Sequence, residues 1–139
     1  MNFTAREAAL LSALGDWAIR MRLVPFTRTL QGSIDKVRGA LAASAQRELL
    51  ELMRELSIVG IPAHPAAPGV REAVEDAWLE RRVTRLRYRA SDGTVSERQV
   101  RVRGLTMERS LTMVHCDDLA RGEKRTLRLD RIERATLEG

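Results

Sequence analysis

The segment KRTLRLDRIERA, residues 124–135, contains the alternation that decides the fold of the second half of the chain. Successive side chains of a strand point to opposite faces, so residues two positions apart share a face. Leu127 and Leu129 are therefore expected to point into a core, while Thr126 and Arg128 stand on the opposite face. The pattern predicts a strand with one buried face and one face that carries arginine.

The same segment then predicts a sharp turn at Asp-Arg-Ile, residues 130–132. The carboxylate of Asp130 is placed to cap the backbone amides at the start of a tight bend. Arg131 would then project from the rim of the sheet, and Ile132 would return to the core. The arginines thus occupy positions that a hydrophobic core does not need.

Period-two alternation continues on the N-terminal side of this segment. In VTRLRYR, for example, three arginines alternate with Thr84, Leu86 and Tyr88. After one short amphipathic helix at 70–82, a meander of short strands separated by turn sequences indicates a small, strongly bent antiparallel sheet or barrel. The predicted strands are 83–89, 97–105, 111–116, 124–130 and 135–137.

The N-terminal third has the 3-4 spacing of apolar residues that is typical of amphipathic helices. Thr4 and Glu7 form a capping-box pattern at the start of the first predicted helix, which runs to about Arg22. Two more helices are predicted at about 28–43 and 44–56. Three short helices make a thin core, so we expect this region to complete its burial against a second copy of the chain. The stripe assigned to the core of the first helix is Phe3, Leu10, Leu14, Trp17 and Met21.

The sequence IPAHPAAPG, residues 61–69, contains three prolines and ends in glycine. Proline fixes φ and removes a backbone donor, so this density is typical of an extended connector. We therefore predict a helical dimerisation or interaction region at 1–60, a linker at 61–69 and a β-rich domain at 70–139. His64 is interpreted as a solvated side chain of the linker.

Composition argues against several classes of protein. The one cysteine, Cys116, cannot form an internal disulfide, and no Cys/His spacing resembles a zinc site, so we expect no metal and a reducing compartment, the cytoplasm. No apolar run approaches the roughly 18 residues of a membrane span. His115 is interpreted as a packing residue, and Asp117 and Asp118 as turn residues, because no third group completes a catalytic set. We expect neither an enzyme nor a cofactor.

Positive charge is concentrated in the C-terminal part of the chain. Residues 1–79 carry nine basic and nine acidic side chains, so the whole formal charge of +5 belongs to residues 80–139. Fourteen of the fifteen basic residues there are arginine, whose planar guanidinium suits phosphate binding. A DNA-reading helix-turn-helix at 28–56 is not predicted, because the exposed face of its last helix would be slightly acidic and would repel DNA.

Four segments of the β-rich half resemble the bacterial WYL-domain transcription regulators. They are LRYRASDG at 86–93, RQVRVRGL at 98–105, LTM at 111–113 and RTLRLDRI at 125–132, of which the last is the longest and most specific. Departures from the family pattern are Val102 for a proline, Leu127 for a phenylalanine, and LTM for Trp-Tyr-Leu. The resemblance covers about residues 70–139, and the N-terminal helices are similar to the helical region that precedes the domain in longer members.

This resemblance implies an α+β chain in which about three helices precede a further helix and a small SH3-like or Sm-like antiparallel β-barrel. It also implies a transcription-linked module that senses single-stranded nucleic acid or a nucleotide-like anion. With no DNA-reading helix, the chain would be a fragment or would act with a partner DNA-binding protein. Motif positions extend the binding role to Arg98, Arg125, Arg128 and Arg131, and strand alternation adds Arg87, Arg101 and Arg103 on solvent-facing stripes.

A second interpretation stays open on the same residues. Charged stripes on strands are often only solvated or paired with acids across the sheet. The chain would then be a homodimeric protein–protein interaction module that has no nucleic-acid ligand.

Overall fold

The computed structural model describes residues 2–138 and contains four helices followed by five strands, which confirms the predicted α+β class. The chain forms two compact units that divide between Pro62 and Ala63. No helix in residues 2–138 is long and apolar enough to cross a membrane. The helices are α1 (Ala5–Met21), α2 (Thr27–Gly39), α3 (Ala43–Glu55) and α4 (Val70–Glu80), and the strands are β1 (Val83–Arg89), β2 (Val95–Met107), β3 (Thr112–Asp118), β4 (Glu123–Arg128) and β5 (Ile132–Leu137).

The first helix begins at the predicted capping box. The Thr4 hydroxyl accepts a hydrogen bond from the Glu7 amide at 3.1 Å, and the Glu7 carboxylate accepts one from the Thr4 amide at 2.9 Å. Two backbone amides that have no partner within the helix are thereby satisfied. The hydrogen bonds from Thr4 also lower the pKa of the Glu7 carboxyl.

The buried face of α1 includes Met21 of the predicted stripe but not its two leucines. The helix packs through small residues, and a Cβ at Gly15 would overlap the side chain of Ile34 on α2. Leu10 and Leu14 are instead 58% and 56% exposed. The prediction for these two leucines was wrong because small side chains let helices approach closely, and that approach selects a different face. The small buried residues of α1 are Ala5, Ala8, Ala9, Ser12, Ala13 and Gly15.

The five strands form one antiparallel sheet in the order β4-β3-β2-β1-β5. The long strand β2 pairs with β1 through its first half and with β3 through its second half, with a bulge between Val102 and Gly104. The 3-10 turn Leu129–Arg131 joins the two edge strands. The described sheet stays open between these edges, so the predicted barrel does not close.

One face of the sheet, here called the inner face, carries the core with α4. Val70, Val74 and Ala77 of that helix belong to one core cluster with inner-face residues of all five strands. Within residues 124–135, Leu127, Leu129 and Ile132 are at most 4% exposed, as predicted. The inner-face core residues are Leu86, Tyr88, Val100, Val102, Val114, Cys116, Leu127 and Ile132, with Leu129 of the 3-10 turn.

Part of the proline-rich segment packs on this core. Ala63 is 1% exposed, and Ala66 and Ala67 contact the cluster of buried residues. The His64 amide donates a hydrogen bond to the Ser110 carbonyl at 2.9 Å, while the His64 side chain is exposed. Residues 63–69 are thus held against the sheet rather than extended away from it.

Candidate functional site

The outer face of the sheet, which is the face opposite α4, carries a dense array of charged side chains. Alternation places the arginines of β1 on this face, and the strand register aligns Arg87 with Glu97 on β2 and with Arg134 on β5. The register also aligns Asp117 of β3 with Arg101 on β2 and with Lys124 on β4. Side chains from all five strands therefore contribute charge to one continuous face.

A groove of about 390 Å³, here called the β3–β4 groove, lies along β3 and β4. Its lining includes outer-face residues and also Arg125, which the strand register places opposite the core residue Cys116, on the inner-face side of the edge strand β4. The groove brings together two of the predicted binding residues, Arg103 and Arg125. The Arg103 guanidinium donates to the Asp117 carboxylate at 2.5 Å, and the Arg125 guanidinium donates to Glu123 at 2.5 Å. Within residues 2–138, the Lys124 ammonium makes no ion pair. The groove is lined by Arg103, His115, Cys116, Asp117, Lys124, Arg125 and Thr126.

A second groove of about 260 Å³, the β1–β5 groove, contains Arg87 together with Arg85 and Arg134. Arg87 and Arg89 both donate to the Glu133 carboxylate, at 3.0 and 2.9 Å. The hydrogen bonds from Arg89 and then Arg87 lower the pKa of Glu133, although burial acts weakly in the opposite direction. Arg134 makes no ion pair in the described part of the chain, so this groove also has an uncompensated cation.

Arg98 is not on the outer face. Its guanidinium donates to Asp118 Oδ2 at 3.1 Å and lies 5.7 Å from the centre of the Tyr88 ring. Arg121 donates to the same carboxylate at 3.0 Å and its amide reaches Asp118 Oδ1 at 3.2 Å. Burial would raise the pKa of Asp118, which is 1% exposed, but the hydrogen bonds from Arg121 and Arg98 outweigh burial and lower it.

Arg128 and Arg131 lie at the turn between the two edge strands. The Arg128 guanidinium binds Asp130 through two hydrogen bonds, at 3.0 and 2.6 Å, and its amide donates to the Tyr88 hydroxyl at 3.1 Å. Asp130 therefore binds a side chain and makes no side-chain cap of the predicted turn, because the neighbouring guanidinium outcompetes backbone amides for the carboxylate. Arg131 makes no ion pair within residues 2–138.

The seven predicted residues thus lie in several places. Arg103 and Arg125 line the β3–β4 groove, Arg87 lines the β1–β5 groove, and Arg101 stands on β2 on the same outer face. Arg98 is paired with Asp118, and Arg128 and Arg131 lie at the 3-10 turn. Five of the seven are paired with carboxylates, the exceptions in the described residues being Arg101 and Arg131.

Sequence reasoning missed three outer-face residues, His115, Lys124 and Arg134. The signal for His115 was present, because Val114 and Cys116 on either side of it are core residues and alternation sends His115 to the other face. Cys116 itself is 2% exposed, and burial, followed by the negative charge of Asp118, raises the pKa of its thiol to about 11. In the described residues no group of three His, Cys, Asp or Glu side chains is placed to hold a metal ion.

Comparisons with known proteins identify the β-rich unit. Residues 69–137, which contain α4 and all five strands, match the model of the WYL domain. None of the curated proteins compared with the chain matches it. Proteasome accessory factor B/C (PafBC) of Arthrobacter aurescens is a similar solved structure, at 22% identity and a TM-score of 0.48, over 99% of this chain and 20% of that chain. This chain therefore spans about a fifth of the length of that protein. The predicted resemblance is confirmed, and the chain belongs to the WYL-domain family.

Proposed function

We propose that this chain is a transcription-linked regulatory module whose WYL domain senses single-stranded nucleic acid or a nucleotide-like anion on the outer face of its sheet. Membership of the WYL-domain family supports the regulatory role. The observation that carries the binding role is the β3–β4 groove, which is lined by three cations, Arg103, Lys124 and Arg125, and by one carboxylate, Asp117. A partner protein that reads DNA would connect this sensor to its promoters.

The ion pairs of the groove are compatible with anion binding because they are exposed. The side chains of Arg103 and Arg125 are 56% and 45% exposed, and exposed pairs contribute only about 0.2–1 kcal/mol. A nucleic acid that gives its phosphates to these guanidiniums also releases condensed counterions, which favours binding at low salt. A phosphate can therefore replace Asp117 or Glu123 as the partner of each arginine at small cost.

The predicted residues divide into two roles under this proposal. Arg103, together with Arg125 from the edge strand β4, contacts phosphate in the β3–β4 groove, and Arg101 and Arg87 extend the outer face toward the β1–β5 groove. Arg98 and Arg128 are committed to Asp118 and Asp130, and hold the sheet and its turn in shape. Arg131 remains a candidate contact at the rim.

Changing Arg103, Lys124 and Arg125 together to Ala is expected to weaken binding of a short fluorescent single-stranded oligonucleotide roughly a hundredfold at about 0.1 M salt. The expectation follows from losing three phosphate contacts, each worth about 0.7 in the slope of log affinity against log salt concentration. Fluorescence anisotropy titrations between about 50 and 200 mM salt would measure both the affinity and a fall of about two in the slope.

A matched control removes the same charge elsewhere. Arg28, Arg47 and Arg54 are exposed on α2 and α3, and changing all three to Ala lowers the net charge equally. This control is expected to bind nearly as well as the unchanged protein. Equal loss of binding in the two triple variants would mean that net charge alone matters and would remove the groove from the proposal.

The exposed leucines of α1 favour a second function, a homodimeric interaction module. Leu10, Leu11 and Leu14 are each at least 48% exposed, and Leu10 and Leu14 lie one helical turn apart. Burial of one leucine side chain contributes about 1.5–3 kcal/mol, so a second copy would gain from covering this stripe.

Sedimentation velocity tests this second function directly. Changing Leu10 and Leu14 to Glu is expected to convert a dimer into a monomer without loss of helical circular dichroism, because both side chains are outside the core. If the unchanged protein sediments as a monomer at tens of micromolar, the homodimer is wrong. An oligonucleotide that binds neither the dimer nor the monomer would leave the interaction module as the better function.

A further inference from the structure

The lining of the β3–β4 groove includes one aromatic side chain, His115. The phosphate contacts proposed above do not involve it. His115 stands in the middle of β3, and its cross-strand neighbours are Thr126 on β4 and Gly104 on β2. All three positions face the same side of the sheet, since directly opposed residues of antiparallel strands share a face. His115 is therefore a groove residue rather than the packing residue that its sequence context predicted.

Both ring nitrogens of His115 are engaged by hydroxyl groups. Nε2 lies 2.7 Å from Thr106 Oγ1, and Nδ1 lies 3.2 Å from Thr126 Oγ1. Each ring nitrogen thus has a threonine hydroxyl as its partner, so neither is free to bind a phosphate or a metal. The two bonds anchor the imidazole to β2 on one side and to β4 on the other, so the ring is held in place before any ligand arrives. What remains available is the π surface of the ring.

There is open space beside this ring. Gly104, directly opposite His115, has no side chain, and a Cβ built there would meet no atom within 4 Å. The groove volume of about 390 Å³ is at the lower end of the range for small-ligand sites. Three cations, Arg103, Lys124 and Arg125, line the same groove.

Resting on the proposed function, we infer that the β3–β4 groove binds one nucleotide unit, with its base stacked on His115 in the space beside Gly104 and its phosphate on the surrounding cations. A fixed aromatic ring is the usual platform for an unpaired base, and such stacking tolerates any base because each has a π face. The unit is either a free mononucleotide or one position of a single strand, since both present the same chemistry.

The test compares two probes on the full chain by isothermal titration calorimetry, adenosine 5′-monophosphate and ribose 5-phosphate, which share the phosphate but not the base. The unchanged protein is expected to prefer the nucleotide by roughly tenfold. His115→Ala is expected to abolish that preference and leave ribose 5-phosphate binding intact, whereas His115→Phe, which keeps an aromatic ring, retains part of it. Oligonucleotide binding by His115→Ala distinguishes the two ligands. Weaker binding than that of the unchanged protein indicates a nucleotide within a single strand, and equal binding indicates a free mononucleotide.

Filling the space beside the ring gives an independent variant. Gly104→Leu places a side chain where a Cβ meets nothing, so the domain is expected to fold while the nucleotide preference falls to about one. Gly32→Leu is the matched control, because a Cβ at Gly32 also meets nothing and the residue lies on α2. An unchanged preference in both His115→Ala and Gly104→Leu would overturn the stacking inference while phosphate binding stands. Failure of every anion to bind would overturn the proposed function as well.

Discussion

Leu86→Ala is expected to lower the free energy of unfolding of the WYL domain by about 3–4 kcal/mol. The side chain is 0% exposed and lies on β1, between β2 and β5, in the core that α4 covers. Truncation removes the transfer free energy of the lost methyl groups and leaves a cavity that a sheet flanked on both sides can close only in part. Small domains are stable by about 5–15 kcal/mol, so the expected loss is a large share of the total.

Leu79→Ala provides the matched control for this prediction. Leu79 is on α4 in the same unit but is 67% exposed, so the same substitution there should change stability by less than about 0.5 kcal/mol. Urea denaturation of the two variants, together with hydrogen–deuterium exchange of β1 and its neighbours, separates the two effects. Similar losses in both variants would show that Leu86 is not at the centre of the core.

The strands could be predicted from the sequence because alternation is a local signal. Val83–Arg89 was predicted to the residue, the inward positions of Leu127 and Leu129 followed from a period of two, and that of Ile132 followed from the predicted turn before it. The capping box at Thr4 was equally local, since both hydrogen bonds span three residues. Each of these features depends on residues that are close in sequence, so one sequence is enough to reveal them.

Features that depend on distant pairs could not be predicted in the same way. Arg87 meets Glu133, 46 residues away, and Arg98 meets Asp118, 20 residues away, only because the register of the sheet aligns them. Alternation alone therefore predicted which face the arginines occupy but left open whether acids across the sheet pair with them. Whether the sheet closes depends likewise on whether its two edge strands, β4 and β5, pair with each other, and the sequence of one strand does not determine that.

The face that α1 buries was mispredicted for a different reason. Hydrophobicity favoured the leucines, whereas close packing of helices selects residues with little volume, such as Ala8 and Gly15. Burial of small residues gains less transfer free energy per residue but permits more contact between backbones. Leu10 and Leu14 therefore remain exposed, where a second copy of the chain can cover them.

Asp118→Asn is expected to lower the free energy of unfolding by about 2–4 kcal/mol at pH 7. Removing one member of a buried ion pair leaves the other charge without compensation, which typically costs about 3–5 kcal/mol. The expected loss is somewhat smaller than that because Arg121, one of the two partners of Asp118, is 46% exposed and is solvated again when the pair is broken. A loss remains because Arg98, the other partner, is only 15% exposed and stays without a counter-charge. Asn keeps the shape of the side chain, so the loss reports the charge. Asp117→Asn, which disturbs the exposed pair with Arg103, is the control and should cost at most about 1 kcal/mol.

The pH dependence of the Asp118 variant tests its physical cause. Folding lowers the pKa of Asp118 below its unfolded value of about 3.9, so its contribution to stability is present above that pH and disappears as pH falls through the folded pKa. The unchanged protein should therefore lose this stability on acidification. The Asn variant should not, because its side chain carries no charge to titrate. Urea midpoints measured at pH 7 and in steps below pH 4 should show the gap between the two proteins closing. A gap that stays constant over that range would mean that Asp118 stabilises the sheet by its hydrogen-bond geometry and not by its charge.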